Sequence, residues 1–223
     1  MAVAFRVANH DTPFWVNPNR SAGRYNAAGD PPTQYLTLHP LGCVAEVLRG
    51  QDLRTPERLR ERMVRIWAVR IDLGDAELLA FDDAAAHGLE PRDLIADDQR
   101  ACRRWARGVR GAGGPSTWVV PNAALPGTEN VVVFGERVLA PYHQPPVDPE
   151  LDVPATIVGD LSLLPEVVLP QTRFRGRPHA GYEAWRRGAP YDYREPVTYP
   201  LPPVPAHLVD GKPGRWGLTP PGR

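Results

Sequence analysis

Read from its first residue, the chain carries apolar positions in short bursts whose period changes. AVAFRV (residues 2–7) is a compact apolar run and predicts a strand. TQYLTL (33–38) alternates and follows Pro-Pro, so it predicts a second strand. In LGCVAEVLR (41–49) the spacing switches: Cys43, Val44, Val47 and Leu48 fall three and four apart. That predicts a short helix whose buried face leaves Glu46 off its centre. MVRIWAVRIDL (63–73) reads as a long strand, apolar at Val64, Ile66, Ala68 and Ile71 with one slip in phase. The clearest helix is expected over DLIADDQRACRRWARGVRG (93–111), with one stripe of Ile95, Cys102, Trp105, Ala106 and Val109 and glycines as a stop. STWVVPNAAL (116–125) and ENVVVFG (129–135) predict two more strands.

Strands and helices that alternate in this way predict a mixed α/β domain. The texture changes at Pro141, beyond which most of the 27 prolines lie. Proline fixes φ and removes a backbone donor, so regular elements cannot run far there. TIVGDLSLLPEVVLP (156–170) is expected to supply a last strand or short helix on the core. The resulting division is a domain over 1–170 and a Pro-rich extended arm or tail over 171–223. Within that tail PLPPVPAH resembles a polyproline II ligand, with a spacer or capping arm as the other reading. No internal repeat and no heptad pattern is present.

Composition narrows the function. Twenty-six basic and 26 acidic residues cancel, so the excess of positive charge that marks direct nucleic-acid binding is missing. RTPERLRERMVR reads as a solvated helix face. Cys43 and Cys102 lie far apart, which suits two reduced core thiols. The N-terminus has no apolar run of about 7–15 residues of the secretory kind. No window reaches the roughly 18 apolar residues of a membrane span. A soluble, cytoplasmic protein with no membrane partner is the expectation. Nucleotide-loop, zinc-helix and nucleophile-elbow motifs are missing. The three serines (Ser21, Ser116, Ser162) are too few to favour a serine hydrolase, and the six histidines lack metal-ligand spacing, so no metal is expected.

What chemistry remains gathers near the start. Arg6 ends the first strand, and Arg24 and Tyr25 sit in the Gly-flanked AGRYNAAGD loop. Tyr35 lies on the next strand and Glu46 on the helix after it, at successive intervals of 11 residues from Arg24. Taken alone, these residues also fit a surface arginine, a half-buried tyrosine and an exposed helical glutamate.

The ordered set resembles the RES domain family. Its Arg-hydrophobic start, GR-aromatic-N loop, Y-L-small strand and A-E-V helix match Arg6-Val7, Gly23-Arg24-Tyr25-Asn26, Tyr35-Leu36-Thr37 and Ala45-Glu46-Val47. WVVPNAALPGTENVVVF resembles the strand pair that follows in the family, with Asn122 where the named serine usually stands. The resemblance covers residues 3 to about 140, or to 170, and not the tail.

It implies an ADP-ribosyltransferase-like fold, a split mixed β-sheet flanked by helices, here with a Pro-rich C-terminal extension. It implies a toxin that degrades NAD+ as glycohydrolase or phosphorylase, with NAD+ as substrate rather than cofactor. An Xre-like antitoxin is the implied protein partner, and a homodimer is left open. Cleaving the nicotinamide–ribose bond leaves an oxocarbenium-like ribose. The resemblance casts Glu46 as the carboxylate that stabilises it; such a preorganised charge is worth on the order of 3–4 kcal/mol. Arg24, with Arg6 second, would clamp the pyrophosphate through a planar fork. Gly23 would let backbone approach the ligand, Tyr35 and Tyr25 would stack on nicotinamide, and Asn26 would complete the binding loop. Asn122 would hydrogen-bond the nicotinamide amide or a ribose hydroxyl. Other readings stay open: Arg6 pairing with an acid, Tyr25 as core, and Asn122 as a turn residue capping its strand. Two alternative functions stay open as well, transfer of ADP-ribose to a macromolecule and a catalytically attenuated RES-fold module that binds a nucleotide or partner.

Overall fold

The computed structural model describes residues 2–7, 21–59, 63–71, 73–135, 155–160 and 168–189. The strands are β1 (Ala2–Val7), β2 (Thr33–Thr37), β3 (Met63–Ile71), β4 (Glu77–Leu78), β5 (Thr117–Pro121), β6 (Glu129–Phe134) and β7 (Ala155–Asp160). The helices are α1 (Pro40–Gln51), the short α2 (Pro56–Leu59), α3 (Arg100–Gly111) and α4 (Ala180–Arg186), with single 3-10 turns at Ala84–His87 and Pro91–Leu94.

All seven strands join one sheet in the order β4-β5-β6-β2-β1-β3-β7. Among the described residues only β4 and β5 run parallel, which makes the sheet mixed. The expected split is visible as a seam. β1 pairs with β2 through the single register pair Phe5↔Thr37, whereas β1 with β3 and β2 with β6 pair along their lengths. Helix α1 packs on both β1 and β2, and so covers the seam.

Local chemistry explains where α1 and α3 begin. His39 caps α1: its Nδ1 accepts the Leu41 N–H at 3.2 Å, and Pro40 occupies the first turn, where no N–H is needed. α3 starts seven residues later than the stripe from Asp93 suggests. The Asp93 side chain accepts the Glu90 N–H at 2.9 Å and the Asp98 side chain accepts the Arg100 N–H at 3.0 Å. These aspartates close their own turns in competition with a continuous helix.

Two cores form. Under α1 lie Leu41, Cys43, Val44, Ala45, Leu48 and Leu53 with Leu125, Val168 and Phe174. Under α3 lie Tyr25, Phe81, Leu94, Cys102, Trp105 and Trp118 with Val132 and Phe134. Both cysteines are buried and free, as expected. Residues 168–189 cross the boundary drawn at 170. They pack on the core through Val168 and Phe174 and end in α4. The remaining tail, including PLPPVPAH, lies outside the described residues.

Candidate functional site

The site grows from the end of β2 and the start of α1. Strand register sets Thr37 of β2, Asn130 of β6 and Val120 of β5 in one row across the sheet. Gly42 then brings α1 down onto this row. A Cβ there would collide with Thr37 Oγ1 and come within 2.8 Å of Asn122 Nδ2, so glycine is needed for the close approach. One turn further on, Glu46 emerges from the helix.

Glu46 keeps solvent-exposed surface while the protein around it partly buries its carboxylate. This burial pushes its pKa up, against the pull of Asn130 and the nearby Arg24 and Arg49 charges. Asn130 Nδ2 donates to Glu46 Oε1 at 2.6 Å. Asn130 Oδ1 in turn accepts from Asn122 Nδ2 at 3.0 Å. Asn122 Oδ1 accepts the Ala124 and Leu125 N–H groups at 2.8 and 3.0 Å, and the Asn122 carbonyl meets His179 Nε2 at 3.1 Å. One carboxylate oxygen is thus fixed by a chain of amides that reaches from α1 to α4.

Residues Asp93–Asp97 gather arginines from three parts of the molecule, and two of them, Arg24 and Arg49, act on Glu46 through their charge. Arg24 donates to the Asp93 carbonyl at 3.2 Å and the Ala96 carbonyl at 2.7 Å. Arg173 donates to the Ile95 carbonyl at 2.8 Å. Arg49, three residues beyond Glu46 on α1, donates to Asp97 Oδ1 at 2.6 Å. A positioned carboxylate beside clustered guanidinium groups can stabilise a developing cation while holding an anionic substrate.

The RES domain family model matches residues 3–156. The chain belongs to the RES domain family. Among solved structures it is similar to a chain of the M. tuberculosis MbcT–MbcA toxin–antitoxin complex, with TM-score 0.57 and 22% identity over 75% of this chain and 88% of that one. At that identity the likeness shows a shared fold. Comparison with curated proteins finds no match.

Within the RES domain the candidate residues separate into groups. Glu46, Arg24 and Tyr35 come together: the charges of Arg24 and Glu46 both act on the Tyr35 hydroxyl, whose pKa is raised chiefly by burial. That hydroxyl donates to Asn26 Oδ1 at 2.7 Å and accepts the Tyr25 N–H at 2.9 Å. Gly23 fits against this pair, for a Cβ there would stand 2.6 Å from both Asn26 Oδ1 and Tyr35 Oη. Tyr25 and Asn26 are buried, at 2% and 1% exposure, and build the loop rather than line an open surface. The reading of Tyr25 as core describes its surroundings, with its ring edge-on to Trp105 at 5.7 Å.

Arg6 lies beside Cys43, a thiol on which the Glu46 charge also acts. Burial lowers its pKa, and its Nη1 is buried without a hydrogen-bond partner among the described residues. Asn122 is fully buried with its amide engaged at both ends, and its link to Glu46 runs through Asn130. Its turn-capping reading describes that geometry. Asn130, Arg49, Asp97, Arg173 and His179 are bonded into the same network and were not among the residues that the sequence singled out. Asn130 had a signal, since it opens the second strand of the family-like pair. Arg49 also had one, a cation at helical spacing from Glu46.

Proposed function

We propose that this RES protein is a toxin that consumes NAD+ by cleaving its nicotinamide–ribose bond, in the cytoplasm, under control of a partner antitoxin. The observation that supports this most is the Glu46 carboxylate, wet, oriented by Asn130, and facing a group of arginines. The C1′–N bond breaks with its electron pair passing to the pyridinium nitrogen, so nicotinamide leaves neutral. Glu46 stabilises the cationic ribose, and water or phosphate adds at that same anomeric carbon, the C1″ of the ADP-ribose product. A water nucleophile loses its proton to solvent and gives ADP-ribose; phosphate gives ADP-ribose-1″-phosphate. An antitoxin partner is supported by the solved neighbour, which is a toxin–antitoxin complex.

The test is NAD+ consumption by purified protein freed of any antitoxin, with and without phosphate, beside Glu46→Gln. Turnover by the wild type that collapses in the variant supports the reading. Negligible turnover in both, with the fold intact, sinks it. One observation favours a second reading, a binding module without turnover. Where the family usually has a serine, Asn122 has no hydroxyl and no open amide. Bound but unconsumed NAD+ would favour that reading.

A further inference from the structure

The arginines at Asp93–Asp97 are unequal in what holds them. Arg24 is tied to two backbone carbonyls. Arg49 and Arg173 share the Asp97 carboxylate, at 2.6 and 3.4 Å to the same oxygen, while the other oxygen accepts the Gly176 N–H at 2.7 Å. Arg173 is further secured by the Ile95 and Arg177 carbonyls, at 2.8 Å each. Three guanidinium groups therefore stand against two carboxylates, Asp97 and Glu46. The mutual repulsion is felt: burial first, then Arg173 and Arg24, lower the pKa of Arg49 to about 10. Arg49 and Arg173 keep 10% and 8% of their side-chain surface exposed, and Arg49 shares the helix face of the open Glu46.

The geometry points to Arg49 and Arg173 as a second anion-binding pair, which takes one phosphoryl group of a pyrophosphate while Arg24 takes the other. This deepens the dinucleotide reading and rests on it for the identity of the substrate. Arg173 lies beyond the matched residues 3–156, so the segment Val168–Ala189 completes the site. The bland competitor is a purely structural latch, in which Asp97 joins α1 to the C-terminal segment and no ligand touches either arginine.

The test is titration calorimetry on the full chain with inorganic pyrophosphate and, separately, inorganic phosphate, at fixed ionic strength. Wild type should prefer pyrophosphate. Arg49→Gln should weaken pyrophosphate binding about tenfold or more, the loss of one or two charge-assisted hydrogen bonds, and barely change phosphate binding. Unchanged pyrophosphate affinity in a folded Arg49→Gln overturns the proposal. If that variant does not fold, Arg49→Lys decides: a fall of about threefold or more upholds a fork-shaped contact, and wild-type affinity overturns it. These readouts need no turnover. Failure of NAD+ cleavage with pyrophosphate binding intact would remove the enzyme reading and leave the subsite standing.

Discussion

The core under α3 is built from large rings: Trp105 meets Tyr25, Trp118, His87 and Phe134 within 6.3 Å. The core under α1 is built mainly from aliphatic side chains and a thiol, with Phe174 its one buried ring among the described residues and Glu46 left outside it. In the first, the polar ends of aromatic residues are absorbed. Tyr35 bonds to Asn26, and arginines of α3 bind the loop backbone, Arg103 Nε to the Gly23 carbonyl at 2.7 Å and Arg110 to the Tyr25 carbonyl. In the second, a charged group is held in place but not neutralised by a contacting cation. A residue type that suggests ligand stacking is thus tied into the loop in one region, while in the other a plain helical glutamate keeps its solvent exposure.

The comparison is tested most severely at its centre of mass. Trp105→Ala removes the ring that four aromatic neighbours share, and should cost about 3–5 kcal/mol. Leu48→Ala, buried at 1% in the other core, should cost about 2–5 kcal/mol and fall below it. Denaturant midpoints at equal slope give both values. A Trp105 variant less damaged than the Leu48 variant would break the contrast between a ring-built and an aliphatic core.

Next in size is a pH effect at the point where the two regions meet. His179, 2% exposed, bonds to the Asn122 carbonyl, and burial lowers its pKa to about 4 from an ordinary 6.5. The folded state thus holds it neutral. The stability that depends on His179 is fully present above pH 6.5 and declines as pH falls toward 4, because the unfolded chain takes up the proton first. The full term is about 3 kcal/mol. His39 shifts in the same direction to about 4. Thermal melts between pH 7 and 4 should show His179→Gln with a flatter acid decline than wild type. Parallel curves would mean that His179 titrates freely.

Gly42→Ala is smaller in energy and sharper in meaning. The added methyl meets Thr37 and Asn122, with an overpacking cost of about 1–3 kcal/mol. Because Asn122 braces Asn130, and Asn130 holds Glu46, NAD+ turnover should fall by more than the stability loss explains. Turnover that simply follows the folded fraction would detach the amide chain from function.

The strands were legible because their periods are short and local: β1, β2, β3, β5 and β6 lie where the apolar pattern puts them. Helix α1 and its exposed glutamate were legible for the same reason. The start of α3 was not, because Asp93 and Asp98 act on neighbouring N–H groups that an apolar stripe does not register. In the site, motif and loop chemistry led to Glu46, Arg24 and Tyr35. They could not reveal how Arg49 joins Asp97 and Arg173, an association that spans up to 124 positions and is complete only once the C-terminal segment folds back. The proline-rich composition beyond residue 141 suggested an arm. Composition is an average, and it hid the packed stretch that ends in AGYEAWR.

The smallest expected change in stability belongs to Glu46→Gln, and it sharpens the comparison most. The folded-state pKa of Glu46 is raised, so the folded protein holds its proton longer than the unfolded chain does. Stability contributed by this group falls as pH rises through that window. At neutral pH the carboxylate is therefore mildly unfavourable to the fold, and the amide that replaces it still accepts from Asn130 through its carbonyl oxygen. Glu46→Gln should melt within about 0.5 kcal/mol of wild type, or slightly above it, as surface substitutions do. Turnover of NAD+ should nevertheless collapse, and wild-type turnover should rise with pH as Glu46 loses its proton. A carboxylate kept at some cost to the fold, held by Asn130 and only partly offset by the charges of Arg24 and Arg49, is what would separate a working group from a packed one. Equal turnover with equal stability would place Glu46 among the solvated helix charges instead.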